Sequence, residues 1–173
     1  MKNITNQPVS RVAVFPGTFD PFTKGHMDLV QRALIFFDKV IIAILDNSKK
    51  STLFTVNERK ELIAKALNDL SGRIEIDSFS GLLVEYLKTR KTQIVIRGLR
   101  AISDFDYEAQ MAIMNRNLSP EVETFFLMSR EEYSYISSSL VRQVALLGGD
   151  VHKFVAPSVA EAMDKKKVAI GKE

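Results

Sequence analysis

Residues 39–45 read K-V-I-I-A-I-L, with no polar residue after the lysine. A strand that faces water on one side alternates apolar and polar side chains. A strand apolar at consecutive positions needs cover on both faces, as in parallel sheets flanked by helices. This run points the chain to an α/β arrangement, and the other segments have to supply the covering helices.

Residues 11–28, R-V-A-V-F-P-G-T-F-D-P-F-T-K-G-H-M-D, supply the first of them. Residues 12–15 form a short apolar strand that ends at Pro16-Gly17, because proline has no backbone donor and glycine admits the dihedral angles of a tight turn. From Gly25 onward Met27, Val30, Leu34 and Phe37 recur at spacings of three and four, one apolar stripe of a helix. A helix entered from a strand through such a loop leaves backbone N–H groups unpaired at its start, where an anion fits. Two side chains there can take part in chemistry: the Thr18 hydroxyl, and the His26 imidazole, able to donate to a phosphoryl oxygen. Taken singly, each suits a local role as well, Thr18 closing its own turn and His26 bonding nearby backbone.

Strands and helices then alternate. The polar stretch 46–52 follows the second strand, Thr55-Val56-Asn57-Glu58 is a capping-box pattern, and Leu62, Ile63, Ala66, Leu67 and Leu70 share one helical face. A third strand is expected at 74–76, a short helix at 81–89, a fourth strand at 93–97 and a fifth at 121–128. Between the last two, R-G-L-R-A-I-S-D-F-D-Y-E (97–108) runs into a helix ending near Leu118. That helix is apolar on two sides, with Phe105, Ala109, Ala112 and Ile113 on one and Tyr107, Met111, Met114 and Leu118 on the other. Such a helix is expected to be buried on both, one side being available to a second subunit. Ser137 is a candidate N-cap for a helix carrying Leu140, Val144 and Leu147, and Pro157-Ser158 opens a last helix. The alternation predicts one domain over residues 1–173, a doubly wound, five-stranded parallel sheet with helices on both faces, residues 1–10 and 165–173 being frayed ends. Right-handed crossovers would gather the loops after strands one, two, four and five at one edge, with Thr18, Lys50, Arg97, Arg100 and serines 137–139.

Composition narrows the chemistry available at that edge. The chain has no cysteine, which removes disulfides, thiolate catalysis and thiolate-bound zinc, and its two histidines, His26 and His152, show no metal-site spacing. A net charge of +3, from 24 basic and 21 acidic residues, leaves no nucleic-acid footprint, and Lys165-Lys166-Lys167 reads as a solvated helix end. No apolar run is long enough to span a bilayer and residues 1–10 are polar, so no membrane association and a cytoplasmic location are expected. Arg97 and Arg100, at i and i+3 after a buried strand, suit a polyphosphate clamp or a pairing with Asp104, Asp106 or Glu108; their place at the crevice favours phosphate. Lys49 and Lys50, adjacent in a polar loop, suit solvent as well as a ligand.

G-T-F-D-P-x-x-x-G-H (17–26) resembles the first signature of the adenylyl- and cytidylyltransferases, Rossmann-like nucleotidyltransferases whose usual H-x-G-H is here Thr23-Lys24-Gly25-His26. I-S-S-S-L-V-R (136–142) resembles their second signature, which binds the triphosphate; two signatures in order on the right elements are specific where each alone is not. R-G-L-R-A-I-S-D-F-D-Y-E and M-N-R (114–116) carry the resemblance over roughly residues 11–162, toward the branch whose acceptor is 4′-phosphopantetheine. The resemblance implies transfer of AMP from ATP to 4′-phosphopantetheine by direct in-line attack, with Mg²⁺ accompanying ATP and no metal ligand from the protein, in a homo-oligomer, a hexamer. It also implies that Thr18 and Phe19 contact ATP, Thr18 the incoming phosphate as well, that His26 stabilises the transition state and that Lys50 binds the acceptor's phosphate. Leu83, Arg97 and Asn115 would hold the rest of the acceptor. Gly98, Leu99, Arg100, Glu108, Tyr133, Ser134, Tyr135, Ile136, Ser137, Ser138 and Ser139 would hold the nucleotide. Two rival readings are an enzyme using nicotinate mononucleotide and a nucleotide-binding module without catalysis. The T-K-G-H tetrad and the RGLR-to-YE stretch stand against the first, His26 together with the Lys50 loop against the second.

Overall fold

The computed structural model describes residues 11–47 and 51–170. Five parallel strands, β1 (Val12–Gly17), β2 (Lys39–Leu45), β3 (Ile74–Phe79), β4 (Ile94–Leu99) and β5 (Glu123–Met128), form one sheet in the order β3-β2-β1-β4-β5. Helices α1 (Lys24–Phe36), α2 (Val56–Ala66), α3 (Leu83–Thr89), α4 (Ile102–Leu118), α5 (Ser138–Leu146) and α6 (Pro157–Ile170) connect and cover them.

β2 shows why both faces are covered. Val40, Ile42 and Ile44 pack with Val30, Ala33 and Leu34 of α1 and Ile63 of α2. Ile41 and Ala43 point the other way, into a cluster with Val84, Tyr86 and Leu87 of α3. The capping box of α2 forms as its sequence predicts: Thr55 accepts from the Glu58 N–H, and the Glu58 carboxylate accepts from the Thr55 N–H at 2.7 Å. A further cluster, with Phe54, Leu62, Val141, Ala145, Val159 and Met163, fastens α5 to α2 through α6.

The structure departs from the sequence reading at several places. β1 does not stop at Pro16; its pairing with β2 continues to Gly17↔Ile44, whereas its ladder to β4 consists of Ala13↔Ile94 and Val14↔Val95. Proline has no N–H to extend the β4 side, so the two strands part there while β2 stays paired. The strand order reverses between β1 and β4, and a doubly wound sheet opens its crevice at the carboxyl ends of the strands at that point. β3 runs three residues beyond its apolar core, through Asp77 and Ser78, and residues 165–170 continue α6 where a frayed end was expected. There Lys166 pairs with Glu58 at 2.8 Å and Lys167 donates to the Gly149 carbonyl at 2.9 Å, so two of the three consecutive lysines are tethered. The two-sided burial expected of α4 is absent in the isolated chain: none of its residues is buried.

α1 lies across the β1/β4 boundary because Gly98 has no side chain. A Cβ at position 98 would stand 2.3 Å from Leu29 Cδ1 of α1. Gly98→Ala is expected to lower the unfolding free energy by about 1–3 kcal/mol, the usual cost of an overpacked methyl, in urea denaturation. Unchanged stability would mean that Leu29 yields at no cost.

Candidate active site

The loop after β1 is shaped by its own residues. Phe19 adopts φ +52° and folds its ring back over the strand end, which is possible because Gly17 has no Cβ; one would meet the ring at 2.8 Å. Phe15, Phe19 and Phe22 then surround the His26 imidazole, with Phe22 stacked at 5.3 Å and Phe19 edge-on at 5.2 Å between ring centres.

His26 occupies the third position of α1, and Thr23 caps that helix. The Thr23 backbone N–H donates to His26 Nδ1 at 3.0 Å, while the Thr23 hydroxyl oxygen lies 3.0 Å from Nδ1 and accepts from the His26 N–H. This is a capping box with histidine in the place usually held by glutamate or glutamine. Since Nδ1 accepts a backbone proton, the neutral ring carries its own proton on Nε2. Nε2 has no partner among the described residues, and His26 lines the cleft. Burial pushes the His26 pKa down from 6.5 to about 4, helped by the nearby positive charges of Arg100 and Arg97. The ring is therefore neutral at pH 7 and offers one N–H.

That cleft, about 360 Å³, is walled by the ends of β1 and β4 and the starts of α1 and α5. Of the residues expected in the site, it brings together Thr18, Phe19, His26, Arg97, Gly98, Arg100, Tyr133, Ile136, Ser137, Ser138 and Ser139. Ser137 caps α5, its oxygen accepting from the Leu140 N–H at 3.1 Å, and Ser138 donates to the Pro21 carbonyl at 2.8 Å. The first N–H groups of α5 thus face the cleft from a helix start tied to the β1 loop.

Both arginines have acidic partners, the alternative left open in their sequence. Arg97 Nε donates to Glu108 at 2.6 Å in a two-pronged pair, and Nη1 donates to the Pro16 carbonyl at 2.8 Å. Arg100 forms a similar fork with Asp104 at 3.0 and 3.1 Å. A guanidinium has five N–H donors, so each pair orients its arginine and leaves donors for an anion.

The other expected residues lie elsewhere. Glu108 stands behind Arg97, Leu99 is buried, and Leu83 packs at the start of α3 on the far side of the sheet. Asn115 lies in the last turn of α4, Ser134 donates to the Glu131 carbonyl, and Tyr135 is mostly exposed against Phe154. Lys49 and Lys50 lie outside the described residues.

Four residues that shape the site were not singled out for it from the sequence: Thr23, Asp20, Arg59 and Arg142. Thr23, Asp20 and Arg142 stand inside the two signatures. Arg59 precedes Leu62 by three residues and Ile63 by four, which puts a charge on the buried stripe of α2; that placement was a signal available in the sequence.

The family model described as cytidylyltransferase-like matches residues 14–144. The phosphopantetheine adenylyltransferase of Alkaliphilus metalliredigens is 50% identical over 156 residues, covering 90% of this chain and 99% of the relative. That of Anaeromyxobacter dehalogenans is 49% identical over 158 residues, covering 91% and 96%. Among solved structures, a bifunctional NMN adenylyltransferase/ADP ribose pyrophosphatase from Francisella tularensis superposes with a TM-score of 0.71 at 18% identity, over 91% of this chain; the chain spans 49% of that protein's length. A nicotinic acid mononucleotide adenylyltransferase of Plasmodium falciparum in complex with NaAD gives 0.67 at 16% identity, over 89% of this chain and 94% of that one. These two likenesses establish the fold alone.

The depressed His26 pKa has a consequence for stability. The unfolded ring titrates near 6.5 and the folded one near 4, so the contribution of the neutral ring is complete above pH 6.5 and is lost as pH falls through 4. His26→Gln keeps a capping side chain without a titrating ring. Between pH 7 and pH 4.5 the melting temperature of the wild type is expected to fall further than that of His26→Gln; parallel falls would refute the shift.

Proposed function

The chain belongs to the phosphopantetheine adenylyltransferases, within the cytidylyltransferase-like nucleotidyltransferases, and we infer that it transfers the adenylyl group of ATP to 4′-phosphopantetheine. The products are dephospho-coenzyme A and pyrophosphate, and the reaction is the penultimate step of coenzyme A synthesis. The observation that carries the mechanism is a neutral imidazole N–H set between two arginines and the start of α5.

The attacking group is a phosphate monoester whose oxygen is already anionic, so neither a protein nucleophile nor a strong base is required. That oxygen forms a bond to the α-phosphorus of ATP in line with the departing group, the bond from the α-phosphorus to the bridging oxygen breaks, and pyrophosphate leaves with the electron pair. The barrier is the mutual repulsion of two anions and the charge that builds on the α-phosphoryl oxygens. Positioning and oriented donors lower it. His26 Nε2–H is the proposed donor to an α-phosphoryl oxygen. Arg100, Arg142 and the first N–H groups of α5 are proposed to hold the triphosphate, Thr18 to touch both substrates, and Arg97 and Lys50 to hold the acceptor.

Mg²⁺ is proposed to enter with ATP, as part of that substrate. Among the described residues no group of three or more histidines, aspartates or glutamates is placed to hold a metal. Asp20, on the cleft wall, already serves Arg142, and Glu108 serves Arg97. Phosphate oxygens and water would therefore be the ion's ligands, which suits Mg²⁺. A cytoplasmic location goes with this reading; no helix among the described residues is long and apolar enough to cross a membrane.

We also propose that the chain assembles through α4, as a hexamer by family resemblance. Ile102, Ile113 and Met114 of α4 are 88%, 61% and 56% exposed, and Phe125 and Met128 of the edge strand β5 are about half exposed. An apolar surface of that kind is the mark of a subunit contact.

With ATP and Mg²⁺, pyrophosphate release is expected with 4′-phosphopantetheine and little with nicotinate mononucleotide. In the same assay His26→Ala should lower kcat by about 10²–10³, the loss typical of one oriented donor. Preference for nicotinate mononucleotide would overturn the acceptor, and near-normal turnover of His26→Ala the role of the ring. Sedimentation should show an assembly well above 19.5 kDa; a monomer at micromolar concentration would refute the α4 contact.

A further inference from the structure

One buried carboxylate has no part in the mechanism above. Asp28, in α1, is 5% exposed and sits between two guanidiniums: Oδ1 lies 3.0 Å from Arg130 Nε, and Oδ2 accepts from Arg32 Nη1 at 3.1 Å. Arg32 stands one turn further along α1, and its Nη1 also donates to the carbonyl of Met128, the last residue of β5, at 2.6 Å. The chain leaving β5 is therefore fixed at three successive residues. Arg32 holds the Met128 carbonyl, the Leu99 carbonyl accepts from the Ser129 N–H at 2.7 Å, and Asp28 holds the Arg130 side chain. A single turn of 3₁₀ helix, Glu131–Tyr133, follows, closed by the Tyr133 N–H on the Arg130 carbonyl (2.9 Å). The Ile136 N–H then donates to the Tyr133 carbonyl (3.0 Å), immediately before the Ser137 cap of α5. Ser129, Tyr133, Ile136 and Ser137 all line the cleft.

We propose that Asp28 is a positioning residue for ATP: through Arg130 and Arg32 it fixes the segment from Met128 to Ser137 against α1, and so sets where that wall of the cleft meets the nucleotide. The expected site residues on this segment, 133–137, are read as nucleotide contacts and none as an acceptor contact. α1 also carries His26, two residues before Asp28, so the same tie places the nucleotide's wall relative to the proposed donor. The chemical type fits this task. A buried ion pair is weak support for stability in itself, and an apolar side chain at position 28 would be buried at less cost. It could not hold two arginines from one helix; a carboxylate offers an oxygen to each guanidinium. A wall that keeps its binding geometry only about a tenth of the time weakens its ligand about tenfold.

The proposal rests on the reading of the cleft as an adenylyl-transfer site, and the wild-type enzyme tests that reading separately. If the wild type releases no pyrophosphate with ATP, Mg²⁺ and 4′-phosphopantetheine, the reading fails. The positioning role is tested by Asp28→Asn, which keeps the shape and removes the charge, by Arg130→Gln, and by the two together. The Arg130 side chain is 60% exposed, so its replacement leaves the core untouched and Asp28 still paired with Arg32. In both single variants the Tyr133 and Ile136 amides are expected to exchange faster in the absence of ATP. The KM for ATP should rise about tenfold. The KM for 4′-phosphopantetheine should stay within about twofold and kcat at saturating ATP near that of the wild type, a split that general loosening of the fold does not produce. The double variant should be no worse than Asp28→Asn, because both changes act through one tie. Equal rises in both Michaelis constants, or additive effects in the double variant, overturn the proposal. So does an unchanged KM for ATP in either single variant; a rise in Arg130→Gln alone would make that arginine itself a ligand of ATP. An Asp28→Asn chain that fails to fold overturns it as well, since the carboxylate would then serve the fold and not the site.

Discussion

The missing N–H of Pro16 decides where this molecule can bind anything. A central strand of a parallel sheet is normally laced to both neighbours, and β1 is so laced only through Val14. Beyond that point β2 remains paired and β4 moves away, which opens the sheet at the position where the strand order reverses. The orphaned Pro16 carbonyl is taken by Arg97, so the same guanidinium that repairs the broken ladder is brought to the wall of the cleft. Gly98, next along β4, lets α1 settle against the gap through Leu29, and α1 carries the histidine.

Cations gather naturally at such a crevice, and an imidazole among them would be expected to lose its proton. Here three phenylalanines pack around the half-buried ring, and the backbone of Thr23 occupies the one nitrogen that would otherwise compete for the proton. The outcome is a donor that stays neutral near Arg97 and Arg100 and keeps a fixed direction. The arginines are held in turn by Glu108 and Asp104, so the cleft is oriented before substrate arrives. Pre-set donors of this kind need no rearrangement when charge develops, which is the condition under which electrostatic stabilisation is most effective.

Much of this was legible in the sequence where the signal is local. The apolar run of β2 required helices on both faces, the capping box of α2 and the serine cap of α5 formed as written, and the two signatures converge on one cleft. What was hidden depends on partners distant in the chain. β3 extends through Asp77 because that carboxylate accepts from the Tyr86 hydroxyl and pairs with Arg90, neither of which a strand pattern reveals. Arg97 and Arg100 were readable as a pair but their carboxylate partners were not decided by spacing. Asp20 stands inside the first signature with no role read for it, and its bonds to Leu53, Phe54 and Arg142 exist only once three loops have met. The apolar faces of α4 were visible in the sequence, while their exposure in a single chain emerges only from the folded structure.

The central claim is that His26 presents a neutral Nε2–H to the cleft, with Nδ1 committed to the Thr23 amide. Long-range proton–nitrogen correlation spectra of the ¹⁵N-labelled imidazole at pH 7 test it directly. The account predicts a protonated Nε2 and an unprotonated Nδ1, a state that persists well below the ordinary titration of histidine. A ring protonated on Nδ1, or an imidazolium at neutral pH, would contradict it.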